Sequence, residues 1–165
     1  GNYDSSFPGL NARLPEFSAL LGLRSLMNLE HAAESRNATA ALFHQELGHL
    51  PGIGFQQVRQ GDRNSYREFS VTIDEEAFGL SRDALAEALK AENVDNRKYY
   101  DPPVHKQTAY ASFYQEQPLP NTDYLASHSL SLPMWTDMDP AIPEKICEAF
   151  DRIHRNAAEV KKTVR

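Results

Sequence analysis

The feature that most constrains the fold is a long apolar helical pattern, which begins at Pro15 and continues to Leu47. Proline suits a first helical position because its missing N–H would lack an intrahelical partner there in any case. A single helix over this range would be about 50 Å long, which exceeds the width of a globule of this chain length. Its first half carries too many apolar residues for one stripe, so we expect that half to be buried on several sides, against something outside its own domain. These residues are Phe17, Leu20, Leu21, Leu23, Leu26, Met27 and Leu29.

The composition excludes several classes of protein. The chain has 165 residues, enough for one domain with its own core, and its net charge of −6 argues against a nucleic-acid binder. No uncharged apolar run approaches the length of a membrane span, and the N-terminus lacks the features of a signal peptide. The single cysteine, Cys147, excludes an intramolecular disulfide and favours a reducing compartment. We therefore expect a cytoplasmic protein that binds neither nucleic acid nor membrane, with Cys147 as a small buried apolar residue.

The remaining patterns predict an α+β fold. Residues 1–14 are expected to be an irregular lead-in, and residues 15–165 a single α+β domain. Three β-rich runs predict strands at Phe55–Val58, Arg67–Ile73 and Leu130–Leu132, and the turn between the first two predicts a hairpin. Because strands and helices mix without βαβ regularity, we expect a small, mostly antiparallel sheet with helices on one face, preceded by the long helix.

Local signals place the shorter elements. Ser81 is a favourable N-cap, and Asn121 is a candidate cap for a short helix. The last helix is opened either by Asp139–Pro140 or by Ile142–Pro143, and its apolar residues recur every three or four positions. Residues 95–120 show no helical or strand period, apart from a candidate strand at Arg97–Tyr100.

One loop is rich in groups that bind ligands. Residues 99–107 are stiffened by two prolines and include Tyr100 and His105. Loops fixed in this way often carry function, but packing of Tyr99 and Tyr100 and solvation of His105 would also explain the composition. The histidines and the cysteine lack zinc spacing, so no metal site is predicted. No Ser-His-Asp arrangement, P-loop or dinucleotide-binding glycine pattern is readable, so no catalytic residue is predicted.

A second candidate site precedes the long helix. Gly9, Asn11 and Arg13 combine a glycine, an amide and a guanidinium close to a helix N-terminus. Backbone N–H groups and the helix dipole favour an anion there, and a guanidinium adds charge-assisted hydrogen bonds. These residues are therefore candidates for binding a phosphate, although a simple lead-in to the helix would have the same appearance.

A series of short motifs, in one order over about residues 8–158, resembles the DegT/DnrJ/StrS-type PLP-dependent sugar aminotransferases. His105 stands one residue later than in the tightest form of the family motif. The matching residues are Gly9, Asn11 and Arg13; Arg36 in the long helix; Ser65 and Tyr66 entering a strand; Arg97, Tyr100, Pro102 and His105; Leu119, Pro120, Thr122 and Asp123; and the run from Leu130 to Met134.

The resemblance implies the C-terminal small domain of an aspartate-aminotransferase-type fold, with the long helix joining it to an N-terminal large domain that holds PLP. The parent enzyme would be a homodimer that transfers an amino group to a nucleotide-linked keto-sugar. The family's Schiff-base lysine, its ring-stacking residue and the aspartate on the pyridine nitrogen would lie upstream of this chain. We therefore expect this chain alone to be inactive and to bind no PLP covalently.

The resemblance also implies roles for five residues. Asn11 would reach the PLP phosphate in the neighbouring subunit's active site, and Arg13 would lie near the same phosphate or the sugar pyrophosphate. Tyr100 and His105 would line the sugar-nucleotide entrance, with Arg97 leading into it. Two other readings remain: a stand-alone binding or regulatory module that kept the fold, and an unrelated α+β interaction domain whose motifs match by coincidence.

Overall fold

The computed structural model describes residues 12–113 and 117–163, and a boundary between His31 and Ala32 divides the chain into two compact units. The helices are α1 (Glu16–Met27), α2 (Leu29–Leu47), α3 (Glu75–Phe78), α4 (Arg82–Ala91), α5 (Pro120–His128), α6 (Ala141–Arg155) and α7 (Ala157–Thr163). The strands are β1 (Ile53–Phe55), β2 (Phe69–Ile73) and β3 (Ser129–Leu132), and short 3-10 helices cover Val104–Lys106 and Thr108–Tyr110. This is the predicted α+β class.

The predicted long helix is two helices, because the helical pattern is interrupted at Asn28. The Asn28 N–H bonds the Ser25 carbonyl at 3.1 Å, which tightens the last turn of α1, and asparagine is a weak helix former. Pro15 is the N-cap of α1 in an extended conformation, one position before the first helical residue. No residue of α1 is buried among the described residues, so the expected packing against a partner outside this domain stays a prediction.

The exposed apolar residues of α1 should make the isolated chain self-associate, because large exposed apolar patches commonly mark interaction surfaces. Leu20 and Leu23 are 62% and 60% exposed. Replacing both by glutamine should lower the apparent mass in size-exclusion chromatography with light scattering. Val58→Gln, at an exposed apolar position of the second unit, is the matched control and should leave the mass unchanged. A monomer at every concentration of the unaltered chain would contradict this expectation.

In the second unit, α2 places an apolar face against the sheet. The ring of Phe43 stacks on that of Phe69 with 5.0 Å between centroids. The chain then turns towards β1 through Gly52, which has a φ of +77°. A Cβ there would lie 2.6 Å from the Phe78 nitrogen and 2.7 Å from the Asp74 carbonyl oxygen, so this turn requires glycine. The buried residues of α2 are Ala33, Thr39, Ala40, Phe43 and Leu47.

The sheet has three antiparallel strands in the order β1-β2-β3. Ile53 pairs with Ile73 across β1 and β2, and Phe69 pairs with Leu132 across β2 and β3. Along β2, Phe69, Val71 and Ile73 are buried while the residues between them are only partly so. The period of two therefore buries one face of the sheet. The predicted hairpin and the single small sheet are both confirmed.

The strand bounds differ from the prediction by one or two residues at the starts of β2 and β3, and by more in two other places. The first strand covers Ile53–Phe55, not Phe55–Val58, because Phe55 is the last residue that pairs with β2 and residues 56–58 are exposed. The candidate strand at Arg97–Tyr100 is a single bridge, in which Arg97 pairs with Ser131 of β3. In both places the residue pattern suits a strand, but a partner backbone is available over only part of its length.

The helix caps were predicted in part. The Ser81 hydroxyl accepts the Ala84 N–H at 3.2 Å and caps α4, as expected. Asn121 was wrong as a cap, because α5 begins at Pro120 and Asn121 lies inside its first turn. At α6 the Asp139 carboxylate accepts the N–H of Ala141, the first helical residue, at 3.0 Å, in agreement with the Asp139–Pro140 alternative.

The core joins the buried face of the sheet to α2, α3, α4 and α6. Phe78 and Phe150 meet edge to face with 6.4 Å between ring centroids. Cys147 is buried as expected; burial, together with nearby carboxylates, raises the pKa of its thiol to about 12. Within the described ranges, every helix falls short of the length and apolar character that a membrane crossing requires.

Candidate functional site

The segment after α4 is attached to the sheet at Arg97. The Arg97 N–H donates to the Ser131 carbonyl at 3.0 Å, and the Ser131 N–H donates to the Arg97 carbonyl at 2.8 Å. The guanidinium of Arg97 points to the surface, where Nη1 donates to the Asp95 carboxylate at 2.8 Å. Arg97 lines a cleft of about 220 Å³ together with Arg67 and Tyr99. The backbone of Arg97 is thus fixed by the sheet, and the residue lines a cleft with both polar and apolar walls.

Tyr100 lies at a second cleft, of about 240 Å³. Its ring is 4.9 Å from that of Tyr99, centroid to centroid, and the residue is 62% exposed. The peptide bonds Tyr99–Tyr100 and Asp101–Pro102 are cis. One wall of this cleft comes from the loop and the other from α5. The lining residues are Tyr99, Tyr100, Pro103 and Val104 from the loop side, and Thr122, Leu125 and Ala126 from α5.

The loop that carries Tyr100 is tied to the N-terminus of α4 by charged groups. Nη2 of Arg82 donates to the Asp101 carboxylate at 2.5 Å, and Nζ of Lys98 lies 2.5 Å from the Asp83 carboxylate. Burial disfavours the ionised form of Asp83, but the hydrogen bond from Lys98 and the charges of Arg82 and Lys98 outweigh it. The pKa of the Asp83 carboxyl therefore lies below its ordinary value.

His105 packs next to α5. It lies in the 3-10 helix Val104–Lys106 with only 11% of its side chain exposed, and it is not among the residues that line the Tyr100 cleft. Its Nε2 is 3.3 Å from Oδ1 of Asp123, and Nζ of Lys106 is 2.6 Å from the same oxygen. Asp123 stands in the first turn of α5, where the helix dipole favours a carboxylate. His105 and Lys106 thus join the loop to α5.

The hydrogen bond from Lys106, with added attraction from His105, holds the pKa of the Asp123 carboxyl below its ordinary value. A depressed folded pKa means that ionised Asp123 stabilises the fold above its unfolded pKa of about 3.9, and that this contribution is lost as pH falls through the folded value. The difference in unfolding free energy between the unaltered chain and Asp123→Asn should therefore shrink as the pH is lowered from about 6 to about 3. Urea unfolding monitored by circular dichroism measures it.

Glu76→Gln, which changes an exposed carboxylate of α3, is the control for that comparison. Its difference from the unaltered chain should vary less over the same pH range. A pH-independent effect of Asp123→Asn would show that the carboxylate charge does not hold the loop to α5.

The anion site predicted before the long helix is only partly visible. Asn11 lies outside the described residues. Arg13 is exposed, two positions before the N-cap of α1, and belongs to the first unit, whereas Arg97, Tyr100 and His105 belong to the second. Arg36, by contrast, links α2 to two other segments: Nε donates to the Ser65 carbonyl at 2.7 Å and Nη1 to the Thr136 hydroxyl at 3.1 Å.

The lysines of this chain do not fit the covalent part of a PLP site, which needs an amine in a pocket beside a stacking ring and a carboxylate. Five of them have Nζ within 2.9 Å of a surface carboxylate. The sixth, Lys145, lines a cleft that contains no aromatic ring among the described residues. Those residues also hold no group of three or more His, Cys, Asp or Glu suited to a metal. The five paired lysines are Lys90, Lys98, Lys106, Lys161 and Lys162.

The residues that hold the loop, above all Arg82 and Asp101, are not recognisable from the sequence pattern. Arg82 follows a helix cap, where a charged side chain is normally solvated, yet it is 4% exposed. Its partner Asp101 lies 19 positions away, and no local pattern links the two. Asp123 belongs to one of the motifs shared with the family. Its ion pair with Lys106 joins α5 to a 3-10 helix of the loop, and no sequence pattern predicts that pairing.

Comparison with known proteins identifies relatives of the chain. The model of the DegT/DnrJ/EryC1/StrS aminotransferase family matches residues 1–151. A solved DegT/DnrJ/EryC1/StrS aminotransferase from Brucella abortus is 30% identical with a TM-score of 0.77, over 93% of this chain and 39% of that chain. DesI, in a structure with its TDP-sugar product, is 29% identical with a TM-score of 0.83, over 94% of this chain and 39% of that one.

DesV from S. venezuelae is 27% identical with a TM-score of 0.79, over 93% of this chain and 40% of that chain. The chain therefore spans about two fifths of the length of these relatives.

Proposed function

Because the chain belongs to the DegT/DnrJ/EryC1/StrS aminotransferase family, we propose that it is the C-terminal small domain of a PLP-dependent aminotransferase that acts on a nucleotide-linked keto-sugar. The observation that carries this proposal is the family match over residues 1–151. The TDP-sugar product named for DesI supports the class of substrate. The coverage of about two fifths of each relative is consistent with a separate large domain in the parent protein.

In this proposal the chain contributes residues that bind the phosphate and the substrate, and its lysines take no part in amino-group transfer. PLP supplies the electron sink for amino-group transfer when it is bound to the large domain. Arg13, exposed before α1, would contact a phosphate, with Asn11 beside it in sequence. Tyr100 would contact the substrate at its exposed cleft, and Arg97 would contribute a positive charge nearby.

The proposed role of His105 is narrower than the sequence suggested. Its ring is largely buried next to Asp123, which favours a role in supporting the loop over direct contact with the substrate. We further propose that the parent enzyme is a cytoplasmic homodimer. The exposed apolar surface of α1 and the single buried thiol of Cys147 are consistent with this.

The test compares the complete protein with this chain. The complete protein should transfer the amino group of glutamate or glutamine to a nucleotide-linked keto-sugar, followed by mass spectrometry of the sugar product. The 165-residue chain alone should be inactive and should give no stoichiometric adduct after incubation with PLP and borohydride. Activity of the chain alone, or a specific adduct on one of its lysines, would refute the division of roles. A complete protein that is folded and binds PLP but is inactive on nucleotide-linked keto-sugars would refute the proposed substrate class.

Asn11→Ala in the complete protein should weaken PLP retention by roughly 10- to 100-fold, because one hydrogen bond to a charged acceptor contributes about 1.5–3 kcal/mol. Arg13→Ala should cost at least as much, since it also removes a charge that faces a dianion. PLP affinity and melting temperature are measured together. Arg24→Ala, which removes an exposed positive charge within α1, is the control. A lowered melting temperature with unchanged PLP affinity would show that Asn11 only supports the start of the helix.

A further inference from the structure

Arg82 is buried, with 4% of its surface exposed, at the start of α4. The other buried polar residues among those described are uncharged: Thr39, Asn96 and Ser131. A guanidinium is removed from water at a high cost unless its N–H groups find acceptors. The hydrogen-bond partners of the buried guanidinium therefore indicate its structural role.

The guanidinium of Arg82 donates three directed hydrogen bonds. Nη1 donates to the carbonyl oxygens of Ala126, at 3.0 Å, and Ser129, at 3.2 Å. Nη2 donates to the Asp101 carboxylate at 2.5 Å. Nε lies 2.7 Å from the Asp83 carboxylate, an ion-pair distance without the alignment of a hydrogen bond. One side chain of α4 thus contacts the end of α5, the start of β3 and the loop after Arg97.

These contacts converge on the cleft beside Tyr100. Asp101 directly follows Tyr100, which lines the loop wall of the cleft, and Ala126 lies in the opposite wall, formed by α5. The same guanidinium is therefore bonded to one wall at Ala126 and, at Asp101, to the residue next to Tyr100 of the other wall. We propose that Arg82 is a positioning residue, which fixes the Tyr99–Pro103 loop against α5 and so sets the shape of the cleft at which Tyr100 stands.

The role suits arginine and excludes lysine. The guanidinium is a planar fork that donates in several fixed directions, whereas an ammonium is a single point of charge on a flexible stem. Lysine could bond Asp101 or the two carbonyls, but it could not hold all three acceptors in one arrangement. The neighbouring pair of Lys98 and Asp83 adds a second link between α4 and the loop. Since Asp83 is 62% exposed, that link is the weaker of the two.

The substrate part of this inference rests on the proposed function, because Tyr100 is assigned to the substrate there. The positioning part does not, and it can be measured on the 165-residue chain without any ligand. Hydrogen exchange followed by mass spectrometry reports it locally. In the loop, the Asp101 N–H bonds the Lys98 carbonyl at 3.1 Å and the Gln107 N–H bonds the Val104 carbonyl at 3.1 Å, so both amides are protected while the loop holds its shape.

Arg82→Lys should raise exchange over residues 99–107 by roughly 10- to 100-fold, as expected for the loss of a charge-assisted hydrogen bond, with β2 changed much less. Asp101→Asn should loosen the same segment, and its partly exposed position keeps the test available if Arg82→Lys does not fold. Arg152→Lys, which changes an exposed ion pair with Glu92, is the matched control and should leave the loop unchanged.

Equal acceleration of the loop and of β2 in both variants would mean that Arg82 only stabilises the domain, and it would overturn the proposal. Unchanged exchange in the loop would overturn it as well.

A second readout in the complete protein separates this proposal from the proposed function. If Tyr100 contacts the substrate, Asp101→Asn should raise KM for the nucleotide-linked sugar by about tenfold and change kcat less, because it loosens a binding group and leaves the chemistry in place. A loosened loop with unchanged KM would support Arg82 as the residue that positions the loop and would remove Tyr100 from the substrate site.

Discussion

The burial of one face of the three-stranded sheet is the interaction on which the rest of the second unit depends. So small a sheet is stable only when a face is packed, and each fully buried apolar side chain contributes about 1.5–3 kcal/mol. Phe69, Val71 and Ile73 of the central strand provide that face, with Phe43 of α2 stacked on Phe69. Because β3 pairs with this strand, the position of β3 is fixed by the same packing. The contacts that the loop after Arg97 makes with β3 and with α4 are therefore contacts with elements that are packed in the core.

The segment from Glu92 to Phe113 shows how a long connection is held without a core of its own. Connections of more than about 12–15 residues are uncommon in compact domains and often carry function. This one is attached at successive points: Asn96 donates to the Ala86 carbonyl at 3.0 Å, and Arg97 pairs with Ser131. Further along, Asp101 accepts from Arg82. These three attachments are polar, while several aromatic and apolar side chains of the segment remain exposed, among them Tyr100, Val104 and Phe113.

Features with a local physical cause could be predicted from the sequence. The Ser81 cap depends on a hydroxyl three residues from the N–H that it accepts, and the buried face of β2 depends on a period of two. The interruption at Asn28, the start of β1 at Ile53 and the burial of Arg82 depend on partners far along the chain or on small differences in helix stability. The same division applies to the site. The loop with Tyr100 and His105 stands out by composition, but the burial of the His105 ring against Asp123 follows only from the placement of α5.

A buried guanidinium at the start of α4 fixes the shape of the loop, whereas an apolar side chain there would stabilise the domain without fixing that shape. An apolar residue at the start of α4 would pack against α5 as well, since apolar burial is non-directional, and replacing buried charges by apolar groups is often neutral or stabilising. Such a residue would leave the Asp101 carboxylate and the carbonyls of Ala126 and Ser129 without their donor. Directed bonds to three separate elements admit one arrangement of the loop, whereas apolar packing admits several. If the cleft beside Tyr100 binds the substrate, as proposed, Arg82 supplies the constraint that holds it in one arrangement.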